Sequence, residues 1–140
     1  MKILFAADGS SFTQKALEFL VSNKNMLGPE DELIVLHVQD AISTQIERKL
    51  GSEEVTAYQA KQADTVLKPI NEFLEKHAVK YRCLWAAGEA TTQIIEASKR
   101  EQVQMIVMGA HGHGLLSQVF MGSVAQGVLA ESEIPTLLVK

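Results

Sequence analysis

At 140 residues and 46% hydrophobic, the chain has the length of one ordinary domain, enough to bury a core and too short for two. A formal net charge of -4 and a pI near 5.5 exclude a cationic footprint for nucleic acid, whose non-specific affinity comes from Lys and Arg on phosphates. The lone Cys83 excludes an internal disulfide and a zinc knuckle. With no apolar run near the ~20 residues that cross a bilayer and no secretory signal before Asp8, the expectation is a soluble cytoplasmic protein that engages no membrane.

In chain order, residues 3–7 are a continuous apolar run, suited to a strand buried on both faces of a parallel sheet. Asp8-Gly9-Ser10-Ser11 interrupts it. Phe12, Ala16, Phe19 and Leu20 then recur at helical spacing, with Ser10 or Ser11 as N-cap, Gln14 placed for a capping box, and Gly28-Pro29 as the stop. Residues 33–38 form a second apolar strand. Residues 39–53 are polar and mixed in charge, with Ile42, Ile46 and Leu50 at helical spacing, so a short helix and a mobile flap both fit.

Residues 55–76 read as a long helix with Ala63, Val66, Leu67, Ile70, Phe73 and Leu74 on one stripe. Pro69 predicts a kink there or two helices meeting there, because it removes an internal hydrogen bond. Residues 79–85 alternate, with Lys80 and Arg82 opposite Val79, Tyr81, Cys83 and Trp85, which places that strand at an edge. A helix over 90–100 and an apolar strand over 103–108 follow. After a glycine-rich loop come a helix over 124–130 and a last strand over 134–139, entered through Pro135 as an edge permits.

Five strands alternating with four main helices predict one α/β domain over residues 1–140. It is a doubly wound five-stranded parallel sheet, order 3-2-1-4-5, with helices on both faces. Ligands in such sheets bind beyond the carboxyl ends of the strands where the strand order reverses, here between Asp8 and Gly109.

The loop is the most informative stretch. Gly109, Gly112 and Gly114, with Gly122 at the helix entrance, follow a buried strand and precede a helix, the arrangement in which backbone N–H groups and a helix amino end receive an anion. Ser123 and Gln126 have capping-box spacing for a helix starting just after Gly122, and a well-capped helix is the plainer reading. The loop lacks the Gly-Lys-Ser/Thr of a P-loop, and it is neither spaced nor placed as a dinucleotide fingerprint. Gly127 inside the following helix costs about 1 kcal/mol relative to Ala.

Gly109, two residues, Gly112, nine residues, then Gly122-Ser123 resembles the Gly-x2-Gly-x9-Gly-Ser/Thr signature of the ATP-binding branch of the universal stress protein family. The opening Ile-Leu-Phe-Ala-Ala-Asp-Gly-Ser, the Leu-His-Val closing the second strand, Gly88, and Ser-Val-Ala-Gln are similar to that family too, so the resemblance runs along the whole chain. It implies a doubly wound α/β fold, ATP held between strands one and four, and a homodimer paired through the last strands, here Thr136 to Val139. Carried over by position, Asp8 and the backbone near Val38 meet the adenosine part, Gly109 and Gly112 line the loop, and Gly122, Ser123 and Val124 hold phosphates. Ala7, His37, Met108, His111 and His113 complete the candidate cofactor-binding set. No residue is assigned a catalytic or metal-ligating role.

Each has a plainer role beside this one. Asp8 before Gly-Ser also suits a turn or a cap for the first helix. His111 and His113 have no third ligand nearby, so solvated histidines or phosphate contacts fit better than a metal pair. His37 reads by default as a satisfied buried histidine, and Cys83 as a small core residue. Between Arg100 and Lys140 there is no Lys or Arg, so a phosphate would rely on backbone N–H groups, Ser hydroxyls, the helix dipole and a bound Mg2+ or Mn2+, unless the region around Arg48 and Lys49 or a partner supplies a cation. Three functions follow: a nucleotide-dependent stress or signalling module with at most slow hydrolysis, a weak ATPase or phosphotransferase, and an interaction module without nucleotide.

Overall fold

The computed structural model describes residues 1–111 and 121–140. Five parallel strands, β1 (Lys2–Ala6), β2 (Glu32–Gln39), β3 (Lys80–Ala87), β4 (Met105–Gly109) and β5 (Thr136–Val139), form one sheet in the order β3-β2-β1-β4-β5. The helices are α1 (Ser11–Ser22), α2 (Thr44–Leu50), α3 (Ser52–Glu75), α4 (Ala90–Arg100) and α5 (Ser123–Glu131). The strand order and the parallel, doubly wound arrangement are those the sequence predicts.

The period of two along each strand sorts the core into two layers. Ile3 and Phe5 of β1 with Leu33 and Val35 of β2 pack under α1 (Ala16, Leu17, Leu20) and α3 (Leu67, Ile70, Leu74). Leu4 of β1 with Ile34 and Leu36 of β2 face the other way, onto Ile94 and Ala97 of α4 and Ala125 and Val128 of α5. Covered on both sides, the middles of β1, β2 and β4 are buried, whereas β3 and β5 are half-buried at the edges. On β3, Arg82 reaches from its edge strand to Glu32 of β2 at 2.7 Å and to Glu101 beyond α4 at 2.5 Å.

Several boundaries differ from those expected. α1 stops at Ser22 rather than at Gly28-Pro29, because the Asn23 side-chain amide donates to the Phe19 carbonyl at 2.7 Å and takes the acceptor the next turn would need. Ser10 holds the N-cap position of α1, but its buried hydroxyl makes no cap bond, and Gln14 donates to Glu18, so no capping box forms. α3 runs unbroken through Pro69 over 24 residues, which corrects the expectation of two helices meeting there. β3 continues two residues past Trp85, as the Gln39–Ala87 pairing and the Gly88 N–H to the Gln39 carbonyl extend the ladder. The polar stretch after β2 contains the short helix α2, which buries no side chain and is capped by Ser43.

α5 begins with Ser123 as its first helical residue and Gly122 as its N-cap, so the Ser123–Gln126 capping box does not form. The Gln126 amide donates instead to the Met121 carbonyl at 2.8 Å. Gly127 is explained by packing. A Cβ there would stand 2.6 Å from Thr91 Oγ1 and 2.9 Å from its Cγ2, so only glycine lets α5 lie this close to the first turn of α4.

Candidate functional site

β1 pairs with β2 on one side and β4 on the other, Ala6 facing both Leu36 and Met108, and the chain diverges on either side of this point. A crevice of about 490 Å³ opens beyond these strand ends, within the range of small-molecule sites. Ala7, Asp8, His37 and Val38 line it from β1 and β2, Met108, Gly109 and His111 from β4 and its exit, and Gly122, Ser123 and Val124 from the entrance of α5. Ten of the twelve sequence-predicted residues therefore meet at one place, while Gly112 and His113 lie outside the described residues.

The β1–α1 turn is built around Asp8. Its Oδ1 accepts from the Ser10 N–H at 2.9 Å and from the Thr13 hydroxyl at 2.7 Å, and the Thr13 oxygen in turn accepts the Asp8 N–H at 3.1 Å. Gly9, with φ +80°, makes this tight return possible. The carboxylate thus braces the turn into α1 while Asp8 also lines the crevice, so the turn role and a place in the crevice wall coexist.

His37 is 7% exposed and doubly bonded. The Ala7 carbonyl can only accept, so Nδ1–H donates to it at 2.7 Å, and Nε2 accepts from the Gln39 amide at 2.8 Å. This is a satisfied imidazole that ties β2 to the end of β1, and His37 forms part of the crevice wall.

The helices α1, α4 and α5 bring amino ends to the crevice, and a carboxylate caps one of them. Asp8 braces the turn into α1 through the Ser10 N–H and the Thr13 hydroxyl. Glu89 serves α4, accepting from the N–H groups of Thr91 at 3.1 Å and Thr92 at 2.8 Å. Those bonds, led by the one from the Thr92 hydroxyl, hold its carboxyl below the usual range. The N-cap of α5 is extended Gly122, so among the described residues no side chain caps this end, and its first turn carries no acid. Gln126 N–H returns to the Gly122 carbonyl, leaving Ser123, Val124 and Ala125 as the residues whose N–H groups have no partner within the helix. These three line the crevice, so its partial positive charge is directed there. The Gly122 N–H bonds the Ala110 carbonyl at 2.8 Å, closing the base of the glycine loop.

Sequence reasoning missed part of the wall. Gln39 and Asp40 follow β2, Gln62, Thr65 and Val66 come from α3, and Ala90 and Ile94 from α4. These residues have no local motif; they meet because α3 and α4 cross opposite faces of the same strand ends. The Asp40 carbonyl accepts from the buried Gln59 amide at 3.2 Å, which fixes that wall to α3. Among the described lining residues the carboxylates are Asp8 and Asp40, and there is no Lys or Arg.

A sequence model of the universal stress protein family matches residues 1–140. Universal stress protein Slr1230 of Synechocystis is 29% identical over 97% of the chain, which spans 41% of that relative's length. Universal stress protein MJ0577 of Methanocaldococcus jannaschii is 27% identical over 99% of the chain and 94% of its own length. The solved structure of MJ0577 superposes with a TM-score of 0.82 at 28% identity, covering 99% of this chain and 94% of that one. A universal stress protein family protein from Arabidopsis thaliana, solved with AMP bound, shares the fold with a TM-score of 0.71 at 17% identity, covering 100% of this chain and 91% of that one.

Proposed function

The chain belongs to the universal stress protein family, and on that premise we propose that it binds an adenine nucleotide, ATP with Mg2+ or Mn2+, as a nucleotide-dependent stress-response or signalling module. The observation that carries this reading is the amino end of α5, with no side-chain cap among the described residues, facing a crevice of nucleotide size beside the α4 end already capped by Glu89. An amino end with no carboxylate on its N–H groups suits the phosphates. The base and ribose then lie towards Val38 and Asp8, in a wall that is largely apolar at Ala7, Val66 and Ile94. The AMP bound in the Arabidopsis relative lends the same reading support.

Among the described residues no three His, Cys, Asp or Glu side chains converge, so a divalent ion arriving with the nucleotide takes its ligands chiefly from phosphates and water. Phosphoryl transfer needs concentrated positive charge at the transferred group, and the described lining brings two carboxylates there and no cation. Hydrolysis is therefore slow at most. β5 is short, apolar and half-buried at the sheet edge, which suits a homodimer formed through Thr136–Val139.

Denaturing the purified protein, identifying released small molecules by mass spectrometry, and titrating the protein with ATP, ADP and AMP tests the proposal. Neither co-purified nor titratable adenine nucleotide would overturn it. Turnover with Mg2+ that exceeds a buffer control and collapses in Asp8→Asn would replace it with the ATPase reading. A monomer in sedimentation at micromolar concentration would remove the dimer.

A further inference from the structure

The segment from Arg100 to Lys140 has no internal cation, and Arg48 and Lys49, in the last turn of α2, do not line the crevice. Lys15 is outside the described lining as well, but packing connects it to a residue of the crevice wall. α1 starts directly beyond β1, and its first turn lies against the exit of β4: a Cβ on Gly109 would come within 3.0 Å of Phe12 Cβ. Phe12 in turn packs its ring against that of His111, centroids 5.0 Å apart, and His111 lines the crevice next to the entrance of α5. Lys15 follows one helical turn after Phe12 on the same face, with Nζ 5.4 Å from the Phe12 ring centroid. Lys15 is exposed and, among the described residues, forms no ion pair.

We propose that Lys15 is a specificity-determining residue that favours nucleotides with more phosphates. This rests on the nucleotide reading of the crevice. Phe12 and His111 put the ammonium on the β4 side of the crevice, near the α5 entrance proposed for the phosphates and on the far side of β1 from Val38, towards which the base is proposed to lie. The Phe12 face holds the cation near this position without neutralising it, and the four-carbon stem lets it swing from the ring to an outer phosphate oxygen. An exposed ammonium adds affinity to the phosphate chain without the rigid placement that transfer chemistry requires. A family member with a weakly catalytic site can in this way still distinguish a triphosphate from a monophosphate.

Calorimetric titration of wild type, Lys15→Met and Lys15→Arg with AMP, ADP and ATP at low and high salt tests this. Lys15→Met should weaken ATP by about 5-fold and AMP by less than about 2-fold, the scale of an exposed charge pair. Lys15→Arg should restore the preference, and added salt should narrow the gap between wild type and Lys15→Met. Nucleotide binding with the same ATP-to-AMP ratio in wild type and Lys15→Met would overturn the inference alone. Failure of wild type to bind any of the three would overturn the reading of the crevice and the inference with it. Because Lys15 is exposed, unchanged thermal melting of both variants is expected and separates a ligand effect from a folding effect.

Discussion

Gly127→Ala tests whether packing outweighs helix propensity. In an exposed helix the change should stabilise by about 1 kcal/mol, since glycine gives up more backbone freedom than alanine. Here the new methyl would lie 2.6 Å from Thr91 Oγ1, 2.9 Å from Cγ2 and 3.3 Å from Cβ. Rotating Thr91 moves the first two atoms but not the third, and Thr91 is 7% exposed with little room to retreat. α4 and α5 must therefore separate by a few tenths of an ångström, an overpacking that costs about 1–3 kcal/mol. The net expectation is a loss of about 1 kcal/mol, or roughly 3–5 °C in Tm for a chain of this size. Urea unfolding of Gly127→Ala, Thr91→Ala and the double variant isolates the cause. In the Thr91→Ala background Gly127→Ala should be neutral or stabilising, with a coupling of about 1–2 kcal/mol between the sites. A single variant as stable as wild type, or additive effects in the double variant, would refute the reasoning. Because α5 starts at the crevice, the single variant should also weaken nucleotide binding.

Arg82 holds Glu32 and Glu101 well below the ordinary carboxyl value of 4.5, mainly through direct hydrogen bonds. Depressed folded pKa values mean that this stabilisation is present above about pH 4.5 and is lost as pH falls through the lowered values. Arg82 is partly solvated, so Arg82→Met should cost only about 1 kcal/mol at pH 7 and less in acid, measured by urea unfolding across pH. An equal loss at pH 7 and pH 3 would count against the ion pairs. Burial pushes the Cys83 thiol up to about 11, and its Sγ donates to Asn71 Oδ1 at 3.3 Å. A thiol-specific chromogenic reagent at pH 8 should therefore react far more slowly with the native than with the urea-unfolded protein, and equal rates would contradict that burial.

The sequence by itself determined the sheet and the end of it at which the crevice opens. Continuous apolar runs in β1, β2 and β4 and alternation in β3 distinguish strands covered on both faces from one at an edge, because side-chain period and burial are local properties of a strand. Asp8 and Gly109 were legible as crevice residues because each directly follows a strand, and strand order then places them together. Capping was less legible. Ser10 and Ser123 fit the local pattern, yet neither hydroxyl caps its helix, since a cap depends on backbone angles that spacing does not encode. Only the tertiary structure decided the side walls from α3 and α4, the reason for glycine at 127, and the approach of Lys15 through Phe12 to His111. Each is a contact between elements far apart in sequence, set by helix placement on the sheet.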